Sequence, residues 1–410
     1  MPEFLTAEVR MTLNNQVSAH IVYLGETGFP YGFAPIQRQL LIAKGLVKAG
    51  AHVLVVSHKG TFSKDQRIVP QVKGRYQNVT YIYTSGTIYR DESFLRRNAL
   101  KIRGIIKEFM LCRELRQKQK LEFAIVATMR FQQILYYFVM SRILGFKVLL
   151  NYVEHNSAIV TRSSIRDRVN DLLIDLYALK CADAILPIST YLTDRVSNRA
   201  PGKPFLKIPI LSDFSVDFPQ RSLKENRAFV YCGSATYLEL ISFTLEAFDL
   251  LDHPSKKLHL VISGDKTEME EFYQLIEACP AKESIEIFSR ISYKELCQLY
   301  ADALALLIPL RPTVQDEARF PHKIGEYLAS GNPIVTTDFG EVKIYFRDMI
   351  TALVANEYTP EAFSVKMKFV LDHPEDAQKI GSAGRQLAGK EFAYEKHGQS
   401  LLSFMKSLNQ

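Results

Sequence analysis

Short apolar runs alternate with helix-spaced apolar patterns along most of the chain. HIVYL (20–24) reads as a buried strand, and the loop GETGFPYGFAP follows it. IQRQLLIAKGLVKAG then carries apolar residues at helical spacing and closes on Gly50, after which AHVLVVS (51–57) returns to a strand. This strand–loop–helix–strand unit predicts the start of a doubly wound sheet. FAIVA (123–127), KVLLNYV (147–153) and AILPIS (184–189) are further strands with helical segments between them. A second series begins after the proline-bearing stretch APGKPFLKIPILSDF. It contains RAFVYCGS (227–234), LHLVISG (258–264), SIEIF (284–288), ALALLIPL (303–310) and PIVTTD (333–338). Alternation in both halves predicts an α/β protein of two Rossmann-like, doubly wound domains. The predicted bounds are a disordered leader at 1–18, an N-terminal domain at 19–205 and a C-terminal domain at 206–391. The amphipathic stretch YEKHGQSLLSFMKSL lies at the end.

Composition fits two domains. The chain has 410 residues, too many for one ordinary core, with 47% apolar and 23% charged content. No stretch approaches the roughly 20 apolar residues that span a bilayer. The N-terminus, MPEFLTAEVRMTLNNQ, lacks the apolar core of a secretory signal. Five scattered cysteines form no CxxC pair, which fits a reducing cytoplasm and argues against a zinc site. No D-x-D element is present to hold a divalent metal on a diphosphate, so no metal and no cofactor are expected.

Charge separates the halves. Residues 1–205 hold 29 Lys and Arg against 15 Asp and Glu, a balance of +14, and residues 206–410 hold 22 against 29, a balance of −7. The basic half is expected to face something acidic. Residues 96–120 concentrate this, with nine basic residues and two acids. Leu100, Ile105, Phe109 and Leu115 would form one apolar face there. The segment suits a solvated basic helix, an anionic membrane surface or an acidic glycan.

Candidate chemistry centres on RFPHKIGEYLASGNPIV (319–335), read as a helix starting at Pro321 and stopping at Gly331. Arg319, His322 and Lys323 crowd its start, where free backbone N–H groups already favour an anion. Glu326 one turn in is a poor phosphate neighbour but a good acceptor for a sugar diol. Together they suggest a sugar nucleotide. The loop Gly25-Glu-Thr-Gly28-Phe-Pro-Tyr-Gly32 does not spell GxGxxG, and the second strand ends Ser57-His58-Lys59 with no ribose-binding acid, so a nicotinamide oxidoreductase is a weak alternative. His155, beside Glu154, follows a predicted buried strand at the end where open α/β sheets bind ligands. Taken alone it reads as a structural histidine.

FPHKIGEYLASGNPIV resembles the C-terminal signature of GT-B-fold glycosyltransferases of family 4, glycogen-synthase-like, in a bacterial subgroup of the form F-P-x-K-x-G-E-Y-L. FPYGFAPIQRQLLIAKGLVKAG looks like that family's glycine loop and first helix. YALKCADAILPIST and FGEVKIYFRD resemble the segments before the interdomain crossing and after the signature. The resemblance implies two domains facing a cleft, with a C-terminal helix (392–410) crossing back to the N-terminal domain. It implies retaining sugar transfer from a nucleotide-sugar to a glycan, glycolipid or related acceptor in bacterial surface polysaccharide synthesis. A cytoplasmic location follows, peripheral on the inner face of the membrane, with no nucleic acid partner. Donor-side residues carried over are Arg319, Phe320, Pro321, His322, Lys323 and Glu326, with Gly233 and Ser234 after the second domain's first strand and Gly32 in the glycine loop. Catalytic roles fall on Lys323 and on His155 or Glu154. Two departures stand out. Ala318 replaces the first acid of the Glu-x7-Glu motif, one place from Glu317. Cys232-Gly-Ser-Ala lacks the usual Arg…Lys. A nucleotide-sugar epimerase and a degenerate binding subunit are the alternatives.

Overall fold

The computed structural model describes residues 20–32, 34–64, 70–162, 164–214, 219 and 227–410. The expected leader lies outside them. The chain divides into two compact units, residues 1–211 with 394–410 and residues 212–393. The first boundary falls six residues beyond the expected one.

Unit 1 holds the strands β1 (His20–Leu24), β2 (His52–Ser57), β3 (Lys73–Tyr76), β4 (Val79–Tyr83), β5 (Phe123–Val126), β6 (Lys147–Tyr152) and β7 (Ala184–Pro187). Their order is β3-β4-β2-β1-β5-β6-β7, parallel except for β3 against β4. The central strands are continuous Val/Ile/Leu runs because helices cover both faces. Sequence patterning missed the β3–β4 hairpin. Its tight turn is Gln77-Asn78, both at positive φ (44° and 69°), a conformation usually signalled by Asn-Gly.

The main helices of unit 1 are α1 (Ala34–Lys48), α2 (Phe94–Gln117), α3 (Phe131–Leu144), α4 (Ile165–Tyr177) and α5 (Thr190–Arg199). Arg38 in α1 is buried, and its guanidinium donates to Asn151 Oδ1 (3.1 Å) and to the carbonyls of Pro209 (2.6 Å) and Ile208 (2.7 Å). That fastens the chain leaving unit 1 to its first helix.

Unit 2 holds β8 (Phe229–Ser234), β9 (Leu258–Ser263), β10 (Ile285–Phe288), β11 (Ala305–Ile308), β12 (Ile334–Thr337) and β13 (Leu353–Ala355). The sheet is all parallel in the order β10-β9-β8-β11-β12-β13. Chain direction across the sheet reverses between β8 and β11, which opens a crevice at their C-terminal ends. β13, three residues long, was too short to read from the sequence. The helices are α6 (Leu238–Asp249), α7 (Lys266–Glu277), α8 (Tyr293–Asp302), α9 (Val314–Ala318), α10 (Lys323–Ser330), α11 (Val342–Tyr345), α12 (Pro360–Asp372) and α13 (Pro374–Glu391).

The last helix, α14 (Tyr394–Ser407), belongs to unit 1, as expected. Leu401, Leu402 and Met405 enter the unit 1 core. Gly45 of α1 and Gly398 of α14 meet directly, and a Cβ on Gly398 would lie 2.1 Å from the Gly45 carbonyl carbon. Only glycine lets the two backbones approach this closely.

Candidate functional site

In unit 2 the chemistry gathers at the β8/β11 crevice. β8 ends in Cys232-Gly233-Ser234. A Cβ on Gly233 would come 2.6 Å from the Tyr231 ring, so the strand end needs glycine. Ser234 caps the following turn by accepting from the Thr236 N–H at 3.3 Å, and it bonds the Thr236 hydroxyl at 2.8 Å. Thr236 in turn donates to Glu268.

β11 runs out into Arg311, a residue the sequence reading passed over. Its guanidinium donates from Nε (3.0 Å) and Nη2 (3.1 Å) to the two carboxylate oxygens of buried Asp316. Its Nη1 reaches Glu239 at 3.1 Å. Hydrogen bonding to Asp316 holds Arg311 above even the usual arginine range. Arg319 shares Asp316 through Nη2 at 2.6 Å, and its guanidinium lies 5.2 Å from the Tyr237 ring centre. The Nε of Arg319 is buried without a hydrogen-bond partner among the described residues. Arg311 and Arg319 are thus bound together through Asp316 beside the Tyr237 ring. Asp316 was invisible as a site residue because nothing in its spacing ties it to two arginines.

α10 begins at Lys323, two residues later than expected. Pro321 and His322 form a turn before it, in which the N–H groups of Ile324 and Gly325 bond back to the carbonyls of Pro321 (3.1 Å) and His322 (3.0 Å). Those bonds occupy two N–H groups of the expected anion-binding end. Gly331 closes the helix at φ 77°. Lys323 donates from Nζ to the Cys232 carbonyl at 2.7 Å, which pins the helix start to the end of β8. Glu326 is half-buried and no described residue hydrogen-bonds its carboxylate. Burial pushes its carboxyl up to about 7 against the opposing pull of Lys323. Its neighbours are the side chains of Tyr293, Cys297, Tyr300 and Tyr327.

Phe320, expected on the donor side, packs inward. It is buried at 2% exposure, stacked on Tyr345 and set edge-on to Phe392. These ring contacts anchor the loop before α10. Ala318 is wholly buried and Glu317 is exposed, so neither supplies the missing acid inside the crevice.

In unit 1 the expected residues are dispersed. Gly32 sits in the exposed loop before α1, where a Cβ would strike Ile36 at 2.5 Å. His155 is held on both ring nitrogens: Nδ1 faces the Tyr191 hydroxyl at 2.8 Å, and Nε2 faces Ser157 Oγ (3.2 Å) and Asp175 (3.4 Å). Burial holds its pKa below the ordinary histidine value, against the pull of Asp175. This arrangement leaves neither nitrogen free for a substrate, and the structural reading of His155 fits it. Glu154 is half-buried beside it.

At the ends of β1 and β2 lie residues the sequence reading did not weigh. Glu26 is half-buried, and its carboxyl is raised by burial, with the Thr27 N–H and Lys59 pulling the other way. His58 and Glu108 are buried within 4.0 Å of each other. Burial pushes His58 down to about 4 and Glu108 up to about 8, so both are neutral near pH 7. α2 supplies Glu108 from its inner side, together with Leu111, Cys112 and Leu115. Of the expected face of Leu100, Ile105, Phe109 and Leu115, only Leu115 is buried and the other three are half-buried, while Leu95, Ile102, Ile106 and Met110 point to solvent.

Among the described residues no cluster of His, Cys, Asp or Glu has metal-ligating geometry. No described helix is long and apolar enough to cross a membrane.

Residues 214–387, nearly all of unit 2, match the family described as glycosyl transferases group 1. No curated protein matches the sequence. Among solved structures, sucrose-phosphate synthase from Thermosynechococcus elongatus superposes at a TM-score of 0.74 with 15% identity, covering 95% of this chain and 99% of that one. A glycosyltransferase from Rickettsia africae gives 0.68 with 14% identity over 96% and 99%. Anabaena HepE, solved with UDP and glucose, gives 0.70 with 12% identity over 95% and 100%. The chain has the GT-B fold, and residues 214–387 of its second unit are similar to the glycosyl transferases group 1 family.

Proposed function

We propose that the protein transfers a sugar, with retention of configuration, from a nucleotide-sugar to a glycan, glycolipid or related acceptor. The observation that carries this is Glu326: a half-buried carboxylate, unengaged by the described residues, one turn into the helix that Lys323 ties to the end of β8. A buried carboxylate left without donors is costly in the free protein, and two adjacent ribose hydroxyls would satisfy it. Arg319 and Lys323 would balance charge growing on the leaving diphosphate. The family match of unit 2 and the UDP-bound structure of Anabaena HepE support a nucleotide donor. His155 enters this reading as a positioning residue that shapes the loop after β6. The proposal needs no metal, because Arg319 and Lys323 would balance the diphosphate charge; excess chelator should leave turnover nearly unchanged. A large loss restored by Mg²⁺ or Mn²⁺ would overturn that part.

The proposed setting is the cytoplasmic face of a membrane, in bacterial surface polysaccharide or glycoconjugate synthesis. α2, α3 and α4 are neighbours in one layer, joined by Tyr136 to the Ile105 carbonyl and by the Phe131 N–H to Asn170. Their outer sides carry exposed Leu95, Ile102 and Ile106, then Leu135, Val139 and Ile143, then Ile165, Val169 and Leu172. Arg96, Arg103 and Arg113 stand among them. An apolar stripe flanked by cations fits an anionic bilayer surface. Binding to anionic vesicles should fall as salt rises, because charge is screened over about 8 Å at physiological ionic strength. Equal binding to neutral and anionic vesicles, or none to either, would remove the membrane from the proposal.

The second reading is a catalytically degenerate subunit. Ala318, wholly buried at the place of the first motif acid, favours it. A donor-hydrolysis assay separates the two, since a degenerate subunit releases no nucleotide.

A further inference from the structure

Unit 1 contains a cavity of about 370 Å³ lined by Lys59, Gly60, Thr61, Thr87, Arg90, Arg97 and Lys101, among others. That volume lies at the low end of the roughly 300–1,000 Å³ usual for small-molecule sites. Two loops build its walls. The segment after β2 and the segment after β4 are cross-linked by Thr61 N–H to the Ile88 carbonyl (2.9 Å) and by Arg90 N–H to the Phe62 carbonyl (2.9 Å). Gly60 permits their close approach, since a Cβ there would lie 2.3 Å from the Tyr89 carbonyl oxygen. The first turns of α2 form the remaining wall with Arg97, Asn98 and Lys101.

The charge in this cavity is unbalanced. The ammonium groups of Lys59 and Lys101 and the guanidinium of Arg90 have no hydrogen bond or close ion pair among the described residues. The lining acid, Asp91, is drawn outward: it accepts from the Ser93 N–H (3.0 Å) and pairs with exposed Arg96 (3.2 Å). Arg97 donates to the Asp91 backbone carbonyl. Glu26 offsets part of the charge on Lys59. Burial first, and then the positive charges of Lys101, Arg130 and Arg90, hold Lys59 below the usual lysine range. Cations that line one cavity, with Asp91 engaged by Arg96 and Glu26 offsetting only part of the charge on Lys59, favour an anion there.

The geometry points to a binding site in this cavity for the phosphoryl group of a small phosphorylated ligand. A phosphoryl dianion offers charge and several acceptor oxygens to Lys59, Arg90 and Lys101 at once, and the Thr61 and Thr87 hydroxyls add uncharged donors. Resting on the transferase reading, the ligand is a phosphorylated acceptor, bound in a unit separate from the donor helix α10.

Amine acetylation followed by mass spectrometry tests this on the full chain, with inorganic phosphate and pyrophosphate as probes. Pyrophosphate should slow acetylation of Lys59 about tenfold or more, and phosphate less. The protection should vanish in the double variant Arg90→Gln, Lys101→Gln. Unchanged labelling of Lys59 with both probes would overturn the assignment, as would equal protection in the double variant. Protection by phosphatidylglycerol vesicles but not by pyrophosphate would also overturn it, by making the cavity part of a membrane face. UDP in the same experiment reads Lys323 separately. Protection of Lys323 by UDP without protection of Lys59 by pyrophosphate removes this site and leaves the donor reading standing, and the reverse removes the donor reading alone.

Discussion

At the scale of single residues, Glu326 carries the account. If its carboxylate accepts from ribose hydroxyls, Glu326→Ala should cost about one to two decades in donor kcat/KM, from roughly 1.5–3 kcal/mol for hydrogen bonds to a charged group. Melting temperature should hold or rise, because the side chain bonds no described residue and burial penalises its carboxylate. Its pKa near 7 adds a pH signature. The ionised form gains as pH rises through 7, so donor affinity should be about tenfold weaker at pH 6 than at pH 8, and flat in Glu326→Gln. Lys323 is the charged group facing it, while Tyr293, Tyr300, Tyr327 and Cys297 stay neutral in that window. Donor affinity in the wild type that ignores pH between 6 and 8 would count against the ionised carboxylate as acceptor. Asp316 should behave in the opposite way. Asp316→Ala strands Arg311 and Arg319 in a buried place and should cost about 3–5 kcal/mol of stability, read in thermal or denaturant melts. A variant that melts like the wild type would mean the network is solvated.

At the scale of elements, two packing devices can be tested. Gly398→Val places side-chain atoms where the Gly45 backbone already stands, so α14 must shift away from α1. Overpacking of this kind costs about 1–3 kcal/mol or more, and limited proteolysis should then cut near residue 394. Resistance equal to the wild type would contradict the close approach. Glu108, on the inner side of α2, sets a pH dependence. Its folded pKa of about 8 lies above the ordinary glutamate value. The stability it contributes is therefore full below about 4.5 and is lost as pH rises toward 8. Glu108→Gln should raise the melting temperature, by a margin that grows from pH 5 to pH 8. A constant margin would rule out burial of the neutral acid. The elements themselves were largely legible. Continuous Val/Ile/Leu runs marked ten of the parallel strands, because both faces of each sheet are covered. The hairpin at 73–83 was not, since its turn residues gave no glycine signal and β3 is mostly polar. The start of α10 was misplaced because proline is as comfortable in a turn before a helix as in its first position.

At the scale of the whole molecule, the chain joins a basic unit to an acidic one, and each has its own switch point, β1/β5 and β8/β11. The sequence located helix α10 because glycine, proline and charge punctuate it. It could not reveal Arg311 and Asp316, which meet only through the fold, nor the cavity of Lys59, Arg90 and Lys101, assembled from three separated segments. It also could not tell that Phe320 packs inward, since an aromatic residue in a signature looks the same whether it anchors or binds. The most direct test of the central claim is a thermal-shift titration of the full chain against a panel of nucleotide-sugars, with Glu326→Ala alongside. A donor present at a hundred times its dissociation constant should stabilise the wild type by about 2.7 kcal/mol and the variant by clearly less. No shift with any nucleotide-sugar, or the same shift in Glu326→Ala, would contradict the account.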